Sequence, residues 1–119
     1  MDDGSPDFRF PKAVRLRSSR EFQRVASKGR RHGSGCFNLL VGRGEATLTR
    51  LGITVSRKVG KAVVRNRIKR VIREYFRLNR SRLIPGLECV VIAKPQAGQT
   101  VNEELTRNLR ELFVRYQAD

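Results

Sequence analysis

The sequence holds one histidine, His32, inside the run Arg30-Arg31-His32-Gly33-Ser34. Metal-free acid–base cleavage of a phosphodiester calls for two groups that titrate near neutrality. A lone imidazole in a polar, glycine-bearing stretch therefore reads as a surface residue touching phosphate rather than as a catalyst. Nucleophilic catalysis fares no better, because nothing in the sequence singles out Ser34, Ser56 or Cys36 for a positioned base and orienting group. Cys36 and Cys89 with one His cannot close a four-ligand zinc site, and neither a CxxC nor an HExxH spacing occurs. No Walker-type glycine run ending in Gly-Lys-Ser/Thr is present. The expectation is a polypeptide with no catalytic residue and no metal site of its own, and with both thiols buried and reduced.

Binding chemistry, by contrast, is abundant. The 119 residues carry 26 Lys and Arg against 11 Asp and Glu, a net charge of +15. Residues 57–82 alone hold 11 basic side chains and one acid, Glu74, so two thirds of the net charge sits in 26 residues. Arg supplies 20 of the 26 cations, and its planar fork takes phosphate oxygens bidentately where Lys is a point charge. Such a chain needs a polyanion to neutralise it, and nucleic acid is the expected partner. Met1 to Ser5 is acidic and polar, and no apolar run approaches the roughly 20 residues that span a bilayer. The expected setting is cytoplasmic.

The length suits one domain with a core of its own. Residues 1–14, with Pro6 and Pro11, read as a flexible arm, and residues 15–119 as a single RNA-binding domain. Ser18 with Glu21 fits a capping box, and Phe22, Val25 and Ala26 recur at helical spacing before Gly29, predicting a first helix over Ser19–Lys28. Cys36–Val41 and Leu48–Val55 read as strands, joined as an antiparallel pair through Gly42 and Gly44. A third strand spans Leu87–Ala93, and a last helix opens on a second capping box, Thr100 with Glu103, with Leu105, Leu109, Leu112, Phe113 and Tyr116 as its core stripe.

The longest helical pattern runs from Ala62 to Asn79. At about 100° per residue its faces separate: Val64, Ile68, Val71, Ile72 and Tyr75 lie on one side, while Asn66, Arg70, Arg73 and Arg77 lie on the other with Lys69 beside them and Arg65 and Arg67 on the flanks. A charged helix face is ordinarily a solvated one, but here like charges stand at i, i+4 (Lys69 to Arg73, Arg73 to Arg77) with one acid to offset them. That favours a nucleic-acid ridge. The predicted fold is α+β, an α-β-β-α-β-α sandwich with helices packed on a small mixed sheet.

The stretch GITVSRKVGKAVVRNRIKR, Gly52 to Arg70, closely resembles the signature of the bacterial ribonuclease P protein component, with its Arg-Asn-Arg-x-Lys-Arg helix. Arg15-Leu16, Glu21-Phe22, Val25 and Gly29 resemble that family's first helix, and Cys89 to Lys94 its last central strand, so the resemblance covers about residues 15–116. It implies a ribosomal-protein-like fold with a left-handed βαβ crossover, against the usual right-handed rule. It also implies an accessory subunit of an endoribonuclease whose chemistry belongs to a catalytic RNA that cuts precursor tRNA to the mature 5′ end, with Mg2+ held mainly by that RNA. By motif match, Arg65, Asn66, Arg67, Lys69, Arg70 and Arg73 would face the catalytic RNA. Arg57, Lys58 and Lys61 would approach phosphate at the loop entering the helix, whose orphan N–H groups favour anions. Phe22, with Phe37 as a neighbour, would contact the single-stranded 5′ leader of precursor tRNA, although Ala26 and Leu40 stand where many relatives carry aromatics. Phe22 has a second reading as an ordinary core residue of an amphipathic helix.

The rival function is a ribosomal or other structural RNA-binding protein, which composition alone would not separate. A DNA-binding role is disfavoured because no helix-turn-helix or dimer zipper is visible. A membrane role is disfavoured because other elements are at hand to cover the apolar face of the basic helix.

Overall fold

A computed structural model describes residues 15–16, 19–44 and 48–118; the expected arm over 1–14 and the Ser18 half of the first capping box lie outside the described residues. Chain order is α1 (Ser19–Lys28), β1 (Arg30–Ser34), β2 (Phe37–Arg43), β3 (Arg50–Thr54), α2 (Ala62–Asn79), β4 (Leu87–Ala93) and α3 (Asn102–Phe113). Short 3₁₀ turns at Arg80–Arg82, Pro95–Gln99 and Val114–Tyr116 complete the path. The fold is α+β with a mixed sheet, as expected, and α1, α2 and β4 have the bounds that the sequence predicts.

Two expectations about the strands are corrected. The polar run Arg30–Ser34 is an edge strand, which makes the order α-β-β-β-α-β-α. It pairs antiparallel with β2 through the two-residue turn Gly35-Cys36, and Gly35 has φ 53, the left-handed value a tight hairpin needs and glycine adopts at no steric cost. Nor do β2 and β3 form an antiparallel pair. The sheet order is β1-β2-β4-β3, so β4 enters between them, antiparallel to β2 and parallel to β3, with α2 as the crossover. Being central, β4 is covered on both faces, and every residue of Leu87–Ala93 except Ile92 is buried, as a nearly continuous apolar strand should be.

Strand alternation then assigns the faces. Phe37, Leu39 and Val41 of β2, with Cys89 and Val91 of β4, point into the main core against Ile68, Ile72 and Phe76 of α2 and Leu105, Leu109, Leu112 and Phe113 of α3. Leu40 and Val90 point to the opposite face, where Leu16, Val25 and Phe22 form a smaller cluster under α1. Asn108 ties α3 to the hairpin by accepting a bond from the Cys36 N–H at 2.9 Å. Thr100 is not the cap of α3. That place belongs to Val101, which makes no side-chain cap, because the Thr100 hydroxyl donates to the Gln96 carbonyl at 2.8 Å and lies 3.1 Å from Cys36 Sγ. Both cysteines are buried and free, in agreement with the expectation. Burial, assisted by the charge of Glu88, pushes the Cys89 thiol up to about 12.

Candidate nucleic-acid interface

The outer face of α2 is a cationic ridge. Ile68, Ile72, Tyr75 and Phe76 are its buried side, which turns Asn66, Arg70 and Arg73 fully outward with Arg65, Arg67, Lys69 and Arg77 half-buried on the shoulders. Only one carboxylate shares the helix, and it is engaged locally: Arg77 donates to Glu74 at 3.2 and 2.5 Å. The hydrogen bond from Arg77, ahead of its charge, holds the Glu74 carboxyl below its usual range. Among the described residues Lys69, Arg70 and Arg73 have no carboxylate partner within salt-bridge reach.

Two ridge arginines are engaged in the fold. Arg65 Nε donates to the Gly60 carbonyl at 3.1 Å, bracing the loop that enters the helix. Arg67 straps the start of α3 and the segment before it, donating to the Gly98 carbonyl at 3.2 Å, the Thr100 carbonyl at 3.1 Å and Asn102 Oδ1 at 2.7 Å. Its side chain thus serves packing of α2 against that segment as well as surface charge. Arg57, Lys58 and Lys61 are exposed together on the β3–α2 loop, which is closed by the Val59 N–H to Ser56 and Gly60 N–H to Arg57 carbonyl bonds at 3.1 and 3.2 Å. The N-cap of α2, Lys61, makes no side-chain capping bond and the first turn carries no acid, so the helix itself supplies no side chain that neutralises its positive end.

The α1 face of the sheet has a different character. Phe22 is half-buried and its ring lies over Gly52, where an added Cβ would fall 2.6 Å from Cζ. A side chain at position 52 would displace the Phe22 ring. Phe37 is corrected: it is fully buried in the main core, on the far side of the sheet from Phe22, because its odd position in β2 shares the face of Leu39 and Val41. The residues that do share the α1 face beyond the helix are Asn38, Thr54 and Ile92, all half-buried. Lys94 Nζ joins them near Gly33. Sequence reasoning missed this row, although counting parity from Leu40 and Val90 would have found it.

At the other end of that face charges are paired. Glu88 is 4% exposed, and both its oxygens accept from Arg24 of α1, the Nε bond being 3.1 Å. Arg50 of β3 reaches Glu21 at 2.7 Å and Glu88 at 3.9 Å. This cluster clips α1 to the sheet.

No nucleophile is assembled by the candidate chemical residues. His32 Nδ1 accepts from Arg115 at 3.0 Å, so its proton resides on Nε2, 2.5 Å from the Tyr116 hydroxyl. Burial first, then the Arg115 and Arg30 charges, lowers its pKa from the ordinary 6.5. Both ring nitrogens are engaged within the protein. Ser34 donates to Glu111 at 2.5 Å. Among the described residues no group of three or more His, Cys, Asp or Glu is placed to hold a metal ion, and no helix is long and apolar enough to cross a membrane.

A family profile described as Ribonuclease P matches residues 10–117. The chain belongs to the ribonuclease P protein family. It is 45% identical over 106 residues to the ribonuclease P protein component of Desulfosudis oleivorans, covering 89% of this chain and 88% of that one. It is 41% identical to that of Dictyoglomus thermophilum, covering 91% and 88%. The solved Staphylococcus aureus RNase P protein superposes with a TM-score of 0.81 at 34% identity, covering 87% of this chain and 94% of that one. The Thermotoga maritima RNase P protein gives 0.78 at 31%, covering 87% and 98%. Membership in the ribonuclease P protein family makes the chain a subunit that acts in tRNA processing.

Proposed function

We propose that this chain docks on the catalytic RNA of ribonuclease P through the α2 ridge and helps that RNA remove the 5′ leader of precursor tRNA, the bond-breaking chemistry remaining with the RNA. The observation that carries the reading is the outer face of α2, where Asn66, Lys69, Arg70 and Arg73 stand with no acid of their own and the lone Glu74 is engaged by Arg77. Arg57, Lys58 and Lys61 extend the same charge onto the loop at the helix N-terminus. Backbone phosphates recognised in this way supply affinity without sequence preference.

The leader crosses the sheet face beside α1, with Phe22 and Ile92 offering apolar surface and Asn38, Thr54 and Lys94 polar contacts. The absence of aromatics at Ala26 and Leu40 limits stacking there. Mg2+ for the reaction is held mainly by RNA, and the complex works in the cytoplasm. Cleavage of precursor tRNA by a bacterial ribonuclease P RNA at low magnesium tests the reading. The RNA with this protein cuts at the mature 5′ end, the RNA alone is slow, and the protein alone is inert. Processing by nuclease-treated protein without RNA contradicts it.

A further inference from the structure

Beside the ridge, α2 and α3 part to form an open groove of about 640 Å³, within the size range of sites that hold small ligands. Its wall on α2 includes Arg70, Tyr75 and Leu78, and the 3₁₀ turn and α3 add Arg82, Thr106 and Arg110. The apolar part is open to water, Leu78 being 46% exposed. Tyr75 packs its ring on Phe113, centroids 5.8 Å apart, and lines the groove while being only 7% exposed. Burial raises the phenol pKa while the charges of Arg110 and Arg82 lower it, and both arginines line the same groove as Tyr75. The acid in the lining, Glu74, is engaged by Arg77. On α3, Glu104 is held by Arg107 and Glu111 by Ser34.

We propose that this groove receives one unpaired nucleotide of the catalytic RNA, its base against Leu78 and Tyr75 and its flanking phosphates on Arg70, Arg82 and Arg110. The inference rests on the ridge reading and adds a site to it. An apolar slot rimmed by cations is the arrangement by which splayed-out RNA bases are held. The source is the RNA already on the ridge, because Arg70 belongs to both surfaces and the groove is continuous with the face that carries Asn66 and Arg73. A flat phosphate track would need no slot; a slot with no free cations would suit an apolar side chain instead.

The experiment uses the full chain and a transcribed bacterial ribonuclease P RNA. Thr106→Cys carries a photoactivatable aryl azide, and the native thiols stay unlabelled because Cys36 and Cys89 are buried at 5% and 0% exposure. Irradiation is expected to link the label to one short unpaired segment of the RNA. Affinity is then measured for Thr106→Trp, which plugs the slot, and for Arg82→Gln with Arg110→Gln, which keeps it open but uncharged. Each is expected to bind the RNA about 10-fold more weakly, the scale of one base contact, with unchanged melting. Deleting the crosslinked nucleotide should weaken wild-type binding equally and leave the plugged variant unaffected. If Arg73→Ala loses affinity while both groove variants bind as wild type, the groove inference is overturned and the ridge reading stands. Loss in none of the variants overturns both. A label that reacts only with precursor tRNA, or with another protein, overturns the assignment to the catalytic RNA.

Discussion

The two sides of this small protein use arginine in opposite ways. Under α1, Arg24 and Arg50 are matched to Glu21 and Glu88, one of them 4% exposed, and the four groups hold a helix on the sheet. Along α2, Lys69, Arg70 and Arg73 face outward, and the nearest carboxylate on the helix is engaged by Arg77. Charge density is high in both places; the presence of a buried acid is what separates a structural clip from a surface awaiting phosphate. Arg67 stands between the two, half-buried and bonded to three acceptors at and just before the start of α3 while remaining on the ridge flank. Substituting it mixes stability with binding, so it is a poor probe of either.

The largest expected effect is on the ridge. Arg70→Ala with Arg73→Ala should weaken binding of the catalytic RNA by about tenfold for each phosphate left without its arginine, with the melting temperature unchanged because exposed charges contribute little to stability. Filter binding and thermal denaturation of the same samples check it. Glu88→Gln should do the reverse. Taking the charge from a buried acceptor of Arg24 and Arg50 should cost about 1 to 3 kcal/mol in urea denaturation, and RNA affinity measured where the variant is folded should hold.

Phe22→Ala sharpens the contrast from a third side. If leader bases use the surface beside Gly52, binding of precursor tRNA by the assembled complex should fall by up to about 1 to 3 kcal/mol per base while mature tRNA is scarcely affected. Equal loss of both substrates with early melting would make Phe22 a packing residue. The smallest effect concerns His32. Its pKa is lowered in the fold, so the neutral ring contributes stability above its ordinary 6.5 that is lost as pH falls through the folded value. His32→Gln should flatten the slope of stability as pH falls below 6.5, and the NMR titration of His32 should lie below 6.5.

Much of this division was legible in the sequence. The 3.6-residue period of α2 separated Ile68, Ile72 and Tyr75 from Asn66, Arg70 and Arg73, because one helix reads its own faces locally. Phe76 escaped that reading; its one-residue offset from Tyr75 still falls on the wide buried stripe. Strand pairing was less legible, since β4 lies between β2 and β3 only after a long crossover that leaves no local trace. β1 was missed because an edge strand needs little apolar character; Arg30–Ser34 is polar and takes its place through Gly35 and β2. Phe37 was assigned to the wrong face because its chemistry was weighed without its parity. The Glu88 clip was hidden for another reason: a single acid in an apolar strand shows its partners only when Arg24 and Arg50, 64 and 38 positions away, are folded onto it.

The salt dependence of RNA binding tests the division most directly. Affinity for the catalytic RNA should fall linearly on a log–log plot against monovalent salt, each neutralised phosphate contributing about 0.7 to 0.9 to the slope. Arg70→Ala with Arg73→Ala should lower that slope by about one to two, whereas Glu88→Gln should leave it at the wild-type value. A ridge variant with the wild-type slope, or a Glu88 variant whose slope drops as far as the ridge variant's, would contradict the account.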